Sequence, residues 1–193
     1  MKHKKTVGVL LVAFIFILSG IALGGYDYKV KKSHEGKDLT PTQAHEMVAK
    51  DPEHCFIVDT RTRAEYQLIG HPVGAYNIPL KYWTGKLGEK KYGMAPNPNF
   101  GKDLLARFNP KTDTLIFMCR SGGRSCDASN AAANAGFSKD KTFNMMGGFE
   151  GDKVKYEKSV YCGQRKLGGW CNEGLPWTYH IDKKLVYHPD LSK

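Results

Sequence analysis

Residues 119–124 read Cys-Arg-Ser-Gly-Gly-Arg and follow the apolar run Thr114-Leu-Ile-Phe-Met118. The pattern predicts a strand that delivers a cysteine into a glycine-containing loop. Arg124 to Ala135, rich in Ala and Asn, predicts a helix directly behind it. Such a loop turns backbone N–H groups toward one point, and the helix start adds the positive end of its dipole. A thiolate on Cys119 is stabilised in that cradle and is nucleophilic. Arg120 or Arg124 supplies positive charge for an anionic reactant. The backbone N–H groups from Arg120 through Ser121, Gly122, Gly123 and Arg124 to Ser125 supply converging donors. Gly122 and Gly123 allow the tight curve without a Cβ clash.

The elements that must hold this loop are short apolar strands alternating with helices. Thr40 reads as an N-cap, with Pro41 at the first helical position and Gln43 in the capping-box position, for a helix running to about Lys50. Cys55 to Asp59 is a buried strand, and Thr62 to Gln67 one or two helical turns. Gly70 to Ala75 is a loop, and Tyr76 to Ile78 a strand ended by Pro79. Residues 81–100 read as a long surface loop rich in Gly, Pro, Asn and Lys. Gly101 to Phe108 is a helix, Lys141 to Met145 a strand, and Gly147-Gly148 a turn before a final helical segment. A short strand is also expected at Tyr28–Lys31. The alternation predicts an α/β fold with a parallel sheet covered on both faces. Ligands bind such sheets beyond the carboxyl ends of the strands, which is where Cys119 falls.

The 193-residue chain carries a net charge of +10, and +7 without Lys2, Lys4 and Lys5. The lysines are scattered, so the excess reads as a solvated basic surface, with no nucleic-acid motif. Lys2 to Lys5 precede an uncharged apolar stretch from Val7 to Leu23. Residues 1–25 therefore read as an export signal or a retained N-terminal membrane anchor through 7–23. Either puts the following domain outside the cytoplasm, periplasmic or otherwise extracytoplasmic. Residues 26–37 read as a linker or short first strand, 38–182 as the domain and 183–193 as a tail. Five cysteines in an oxidising compartment leave at least one free thiol, and Cys119 is the candidate. Cys55, Cys126, Met145 and Met146 read as core. No Cys/His spacing suits a metal, and no cofactor is called for.

Four boxes, in order, resemble the rhodanese (sulfurtransferase) family. They are Asp59-Thr-Arg61-Thr-Arg-Ala-Glu65-Tyr66, Gly70-His-Pro-Val-Gly-Ala-Tyr-Asn-Ile-Pro79, the Cys119–Ser125 loop and Met146-Gly-Gly-Phe-Glu-Gly151. The second box departs from the family at Pro72-Val73. The resemblance implies a three-layer domain around a central, mostly parallel, five-stranded sheet. It also implies transfer of sulfane sulfur from a small anionic donor, such as thiosulfate, to a thiol or cyanide acceptor through a persulfide on Cys119. The alternatives are a non-catalytic binding or redox-sensing module and a phosphatase or arsenate reductase. Phosphatases of similar fold carry five residues between the loop's cysteine and arginine. Four stand between Cys119 and Arg124, favouring a single sulfur over a phosphate. Asp59, Arg61 and Glu65 read as structural support, with a carboxylate holding loop N–H groups and an arginine–glutamate pair fixing the strand end. His71 reads as a loop hydrogen-bonder. Against the family pattern, 152–168 is an insertion, expected to be stapled by a Cys162–Cys171 disulfide. The insertion and the 81–100 loop are expected to flank the site, where they hold a protein partner or narrow the entrance.

Overall fold

The computed structural model describes residues 26–187; the apolar segment 7–23 and residues 188–193 lie outside them. Five strands form the centre: β1 (Lys37–Leu39), β2 (Cys55–Asp59), β4 (Tyr76–Asn77), β7 (Thr114–Met118) and β8 (Thr142–Met145). Their spatial order is β1-β8-β7-β2-β4, and every neighbouring pair is parallel. This is the α/β arrangement expected of the boxes.

β2 and β7 are almost wholly apolar because both faces of the sheet are covered. Successive side chains alternate between the layers. Val58, Leu115 and Phe117 pack on one side with Leu104, Ala128 and Ala132. Ile57, Ile116, Met118, Phe143 and Met145 pack on the other with Ala44, Phe149 and Trp170. Each large apolar side chain so buried contributes about 1.5–3 kcal/mol.

Helix α1 (Pro41–Lys50) starts with the expected reciprocal cap: Gln43 N donates to Thr40 Oγ1, and Thr40 N to Gln43 Oε1. Helix α2 (Arg63–Leu68) uses the same device through Thr62 and Glu65. Helix α3 (Phe100–Leu105) and helix α4 (Gly123–Asn134) cover the first layer. The buried positions of α4 are Ser125, Cys126, Ala128, Ser129 and Ala132, all small, so the helix lies close to the sheet.

Several expectations change. Residues 81–100 are not a loop: β5 (Lys81–Leu87) and β6 (Tyr92–Pro96) form an antiparallel hairpin. Its residues are largely exposed, so no apolar alternation marks it, and its glycines and prolines read as breakers. The first strand is β1, not Tyr28–Lys31, whose backbone pairs with no strand; Tyr28 instead binds Glu173 and Gly169 N through its hydroxyl. Among the described residues no helix follows β8. The insertion forms a small antiparallel pair, β9 (Asp152–Lys153) with β10 (Arg165–Leu167). A second short pair joins β3 (His71–Pro72) to β11 (Trp177–Thr178).

The expected Cys162–Cys171 disulfide is absent, and both thiols are free. Cys162 is exposed on the insertion, its backbone bridged to Val154. Cys171 packs instead against the core layer that contains Trp170.

Candidate active site

β7 ends at Met118, and the chain passes through Cys119–Gly122 before α4 begins at Gly123. Gly122 takes the N-cap position with φ 100°, a conformation glycine adopts without strain. No side chain caps α4. Gly122 N donates instead to Cys119 Sγ at 3.2 Å. The N–H groups of the first turn behind it have no intrahelical acceptors. These donors and the helix dipole favour negative charge on the sulfur. The Ser125 hydroxyl lies 3.6 Å from Cys119 Sγ and has Asn144 Oδ1 at 2.6 Å as its nearer acceptor. Asn144 in turn donates to Asp38 Oδ1 at 2.8 Å. Asn144 and Asp38 escaped the sequence reading. They meet because β1 and β8 pair with these two residues in register, which no local signal reveals.

The Met146–Gly151 box braces the loop from behind. Phe149 N donates to Cys119 O at 2.8 Å and Glu150 N to Arg120 O at 3.0 Å. A Cβ on Gly148 would lie 2.3 Å from Cys119 O, so the approach requires glycine. Beneath it, Arg61 is fully buried and grips Asp59 through Nε and Nη2, the shortest contact being 2.6 Å. Arg61 Nη2 also donates to Gly70 O, and the guanidinium stacks 4.4 Å from the Phe149 ring centroid. Burial opposes the charge on Arg61, but Asp59 outweighs it and raises the pKa. Arg61 thus links the Asp59 box to the Phe149 segment. His71 makes a loop contact as read, its Nδ1 2.9 Å from Tyr66 O and its ring stacked on Tyr66.

The arginine–glutamate pair has a different arginine from the one expected. Glu65 binds Arg124, through Nη1–Oε2 at 2.8 Å and Nη2–Oε1 at 2.6 Å, while Arg61 takes Asp59. The three-residue spacing brings Glu65 onto Thr62 as a cap, and α4 then carries Arg124 onto the same carboxylate. Burial pushes the Glu65 carboxyl up, but Arg124 and Thr62 outweigh it and hold its pKa at about 2. Arg124 is therefore committed to Glu65, whereas Arg120 is exposed and makes no ion pair among the described residues.

Cys119, Arg120, Ser121, Gly123 and Arg124 line a cleft of about 500 Å³. The opposite wall is the hairpin, with Trp83, Lys91, Tyr92 and Met94. The sequence expectation that residues 81–100 flank the site did not extend to these side chains. Burial pushes the Cys55 and Cys171 thiols up to about 11 and raises Cys126 as well. None of these three competes as a nucleophile near neutral pH.

The profile of the rhodanese-like domain matches residues 40–155, more than half of the chain. An uncharacterized protein of Rickettsia prowazekii (strain Madrid E) is 31% identical over 144 residues, 74% of this chain and 98% of that one. The chloroplastic thiosulfate sulfurtransferase 16 of Arabidopsis thaliana is 29% identical over 119 residues, 62% of this chain and 88% of the other. The crystal structure of Rv0390 from M. tuberculosis aligns with a TM-score of 0.60 at 30% identity, covering 77% of this chain and 100% of that one. The matched span runs from the cap of α1 through the Asp59 box and the Cys119 loop into the insertion, and by it the chain belongs to the rhodanese-like domain family, with a sulfurtransferase among its relatives.

Proposed function

We propose that the chain moves sulfane sulfur from a small anionic donor to a thiophilic acceptor through a persulfide on Cys119. One observation carries this reading: the Cys119 sulfur accepts the Gly122 N–H at 3.2 Å, at the uncapped start of α4 and on the wall of an open cleft. In the first step the Cys119 thiolate attacks the outer sulfur of a donor such as thiosulfate. The new S–S bond forms as the donor's S–S bond breaks, and sulfite leaves with that bond's electron pair. In the second step a thiolate or cyanide attacks the outer sulfur. Cys119 leaves as thiolate, and the product is an acceptor persulfide or thiocyanate. Neither step consumes an external oxidant or reductant. Arg120 attracts the anionic donor, and the loop N–H groups stabilise the persulfide anion.

The lysine-led apolar segment 7–23 supports work outside the cytoplasm. A phosphatase reading is weakened by the short loop and by Arg124, which spends both terminal nitrogens on Glu65. Thiosulfate treatment should add the mass of one sulfur atom to the intact chain, and cyanide should remove it as thiocyanate. Cys119→Ser should show neither. Thiocyanate turnover that survives this substitution would sink the mechanism, and turnover of an aryl phosphate would support the phosphatase.

A further inference from the structure

A second cleft, of about 550 Å³, meets the Cys119 cleft at Ser121, which lines both. It is built by the insertion and the segment preceding β1. Lys29, Lys31, Lys153, Lys155 and Arg165 line it, against one carboxylate, Asp152. Asp152 is already engaged by Lys31 Nζ at 2.6 Å and by the Tyr26 hydroxyl at 2.9 Å. Lys29 has the exposed Asp27 beside it. Lys153 and Lys155 are exposed and make no ion pair among the described residues. Arg165 donates to Gly151 O at 2.6 Å and reaches Glu150 Oε2 only at 3.9 Å. The cleft therefore holds more positive charge than its own carboxylate neutralises, and gathering like charges opposes folding unless a ligand compensates. Arg165 feels both Arg120 and Cys119 electrostatically, so this charge reaches the reactive loop.

Deepening the sulfurtransferase reading, on which it rests, we propose that this cleft binds the carboxylates of a small acceptor thiol and turns its sulfur toward Cys119. The size suits a small molecule. The chemistry suits two or more carboxylates on one thiol, because a single anion would leave most of the lysines unpaired. The donor and the acceptor then have separate seats, joined at Ser121, with the donor beside Arg120 and the hairpin. Separate seating leaves the charged acceptor tail undisturbed while its thiolate attacks the persulfide.

The test uses the full chain and its Lys153→Gln/Lys155→Gln variant, with thiosulfate as donor. Transfer to mercaptosuccinate, a dicarboxylate thiol, is compared with transfer to neutral 2-mercaptoethanol. The ratio of kcat/KM for the two thiols should fall about five- to tenfold in the variant, the effect of two partly solvated charge contacts. The wild-type ratio should also fall as salt rises. An unchanged ratio overturns the proposal. A second readout does not depend on turnover: binding of S-methylmercaptosuccinate, which cannot accept sulfur, to the Cys119→Ser chain by calorimetry. Weaker binding after Lys153→Gln/Lys155→Gln supports the cleft, and equal binding overturns it. Absence of transfer to either thiol and to cyanide in the wild type would defeat the sulfurtransferase reading instead, and the binding measurement would still decide the cleft.

Discussion

Arg124 on α4 grips Glu65 on α2 with both terminal nitrogens, at 2.6 and 2.8 Å, and so ties the first turns of two helices together. A cation in the first turn of α4 opposes that helix's own dipole, whereas a carboxylate in the first turn of α2 agrees with its dipole. The pair offsets the first cost and holds the wall of the Cys119 cleft. It also leaves the attraction of anions to the loop N–H groups and Arg120.

The pair should give the protein a specific acid sensitivity. The Glu65 pKa in the fold, about 2, lies below its ordinary 4.5. Its stabilisation is therefore complete above the ordinary value and is lost as pH falls toward the folded one. Glu65→Gln should cost about 3 kcal/mol at neutral pH in urea unfolding. The gap between variant and wild type should narrow below about pH 4. A gap independent of pH would show that the charge on Glu65 contributes little.

The two loop arginines should separate in their effects. Arg120→Gln should raise the KM for thiosulfate roughly tenfold, with little change in melting temperature, because it removes one exposed charge from the donor's path. Arg124→Gln should lower the melting temperature markedly, because Glu65 is left buried and unpaired. Steady-state kinetics beside thermal melts decide this, and a reversed pattern would reassign the donor's cation to Arg124.

Arg61 should behave as a support with no direct part in transfer. Arg61→Met leaves Asp59 buried without its partner and should cost roughly 3–5 kcal/mol. Replacing both, as Asp59→Asn/Arg61→Met, should recover part of that loss. Urea denaturation of the two variants measures it. If the double variant is the less stable, Asp59 stabilises the fold through its other contacts.

Gly148→Ala should strain the reactive loop. The added methyl would lie 2.3 Å from Cys119 O, at a residue with φ 58°. A loss of about 2 kcal/mol or more is expected, with slower alkylation of Cys119. Alkylation at the wild-type rate in a folded variant would show that the loop yields without moving the sulfur.

The sequence by itself determined what local chemistry dictates. The α1 cap is written in Thr40, Pro41 and Gln43, and the buried strands in unbroken apolar runs such as Thr114–Met118. The turn that presents Cys119 is written in the glycines following it. These features depend on neighbours within a few residues, so spacing alone exposes them. Only the tertiary structure decided the partners. Glu65 chose Arg124, 59 residues away, over nearby Arg61. Asn144 met Asp38 across 106 residues through strand register. Residues 81–96 became a hairpin whose two largely solvated faces erased the alternation that marks buried strands. Cys162 and Cys171 are both free thiols, one on an exposed insertion and the other half-buried against the core. Charge pairing and thiol pairing are settled by distance in space, which the assembled sheet sets and the order of residues does not.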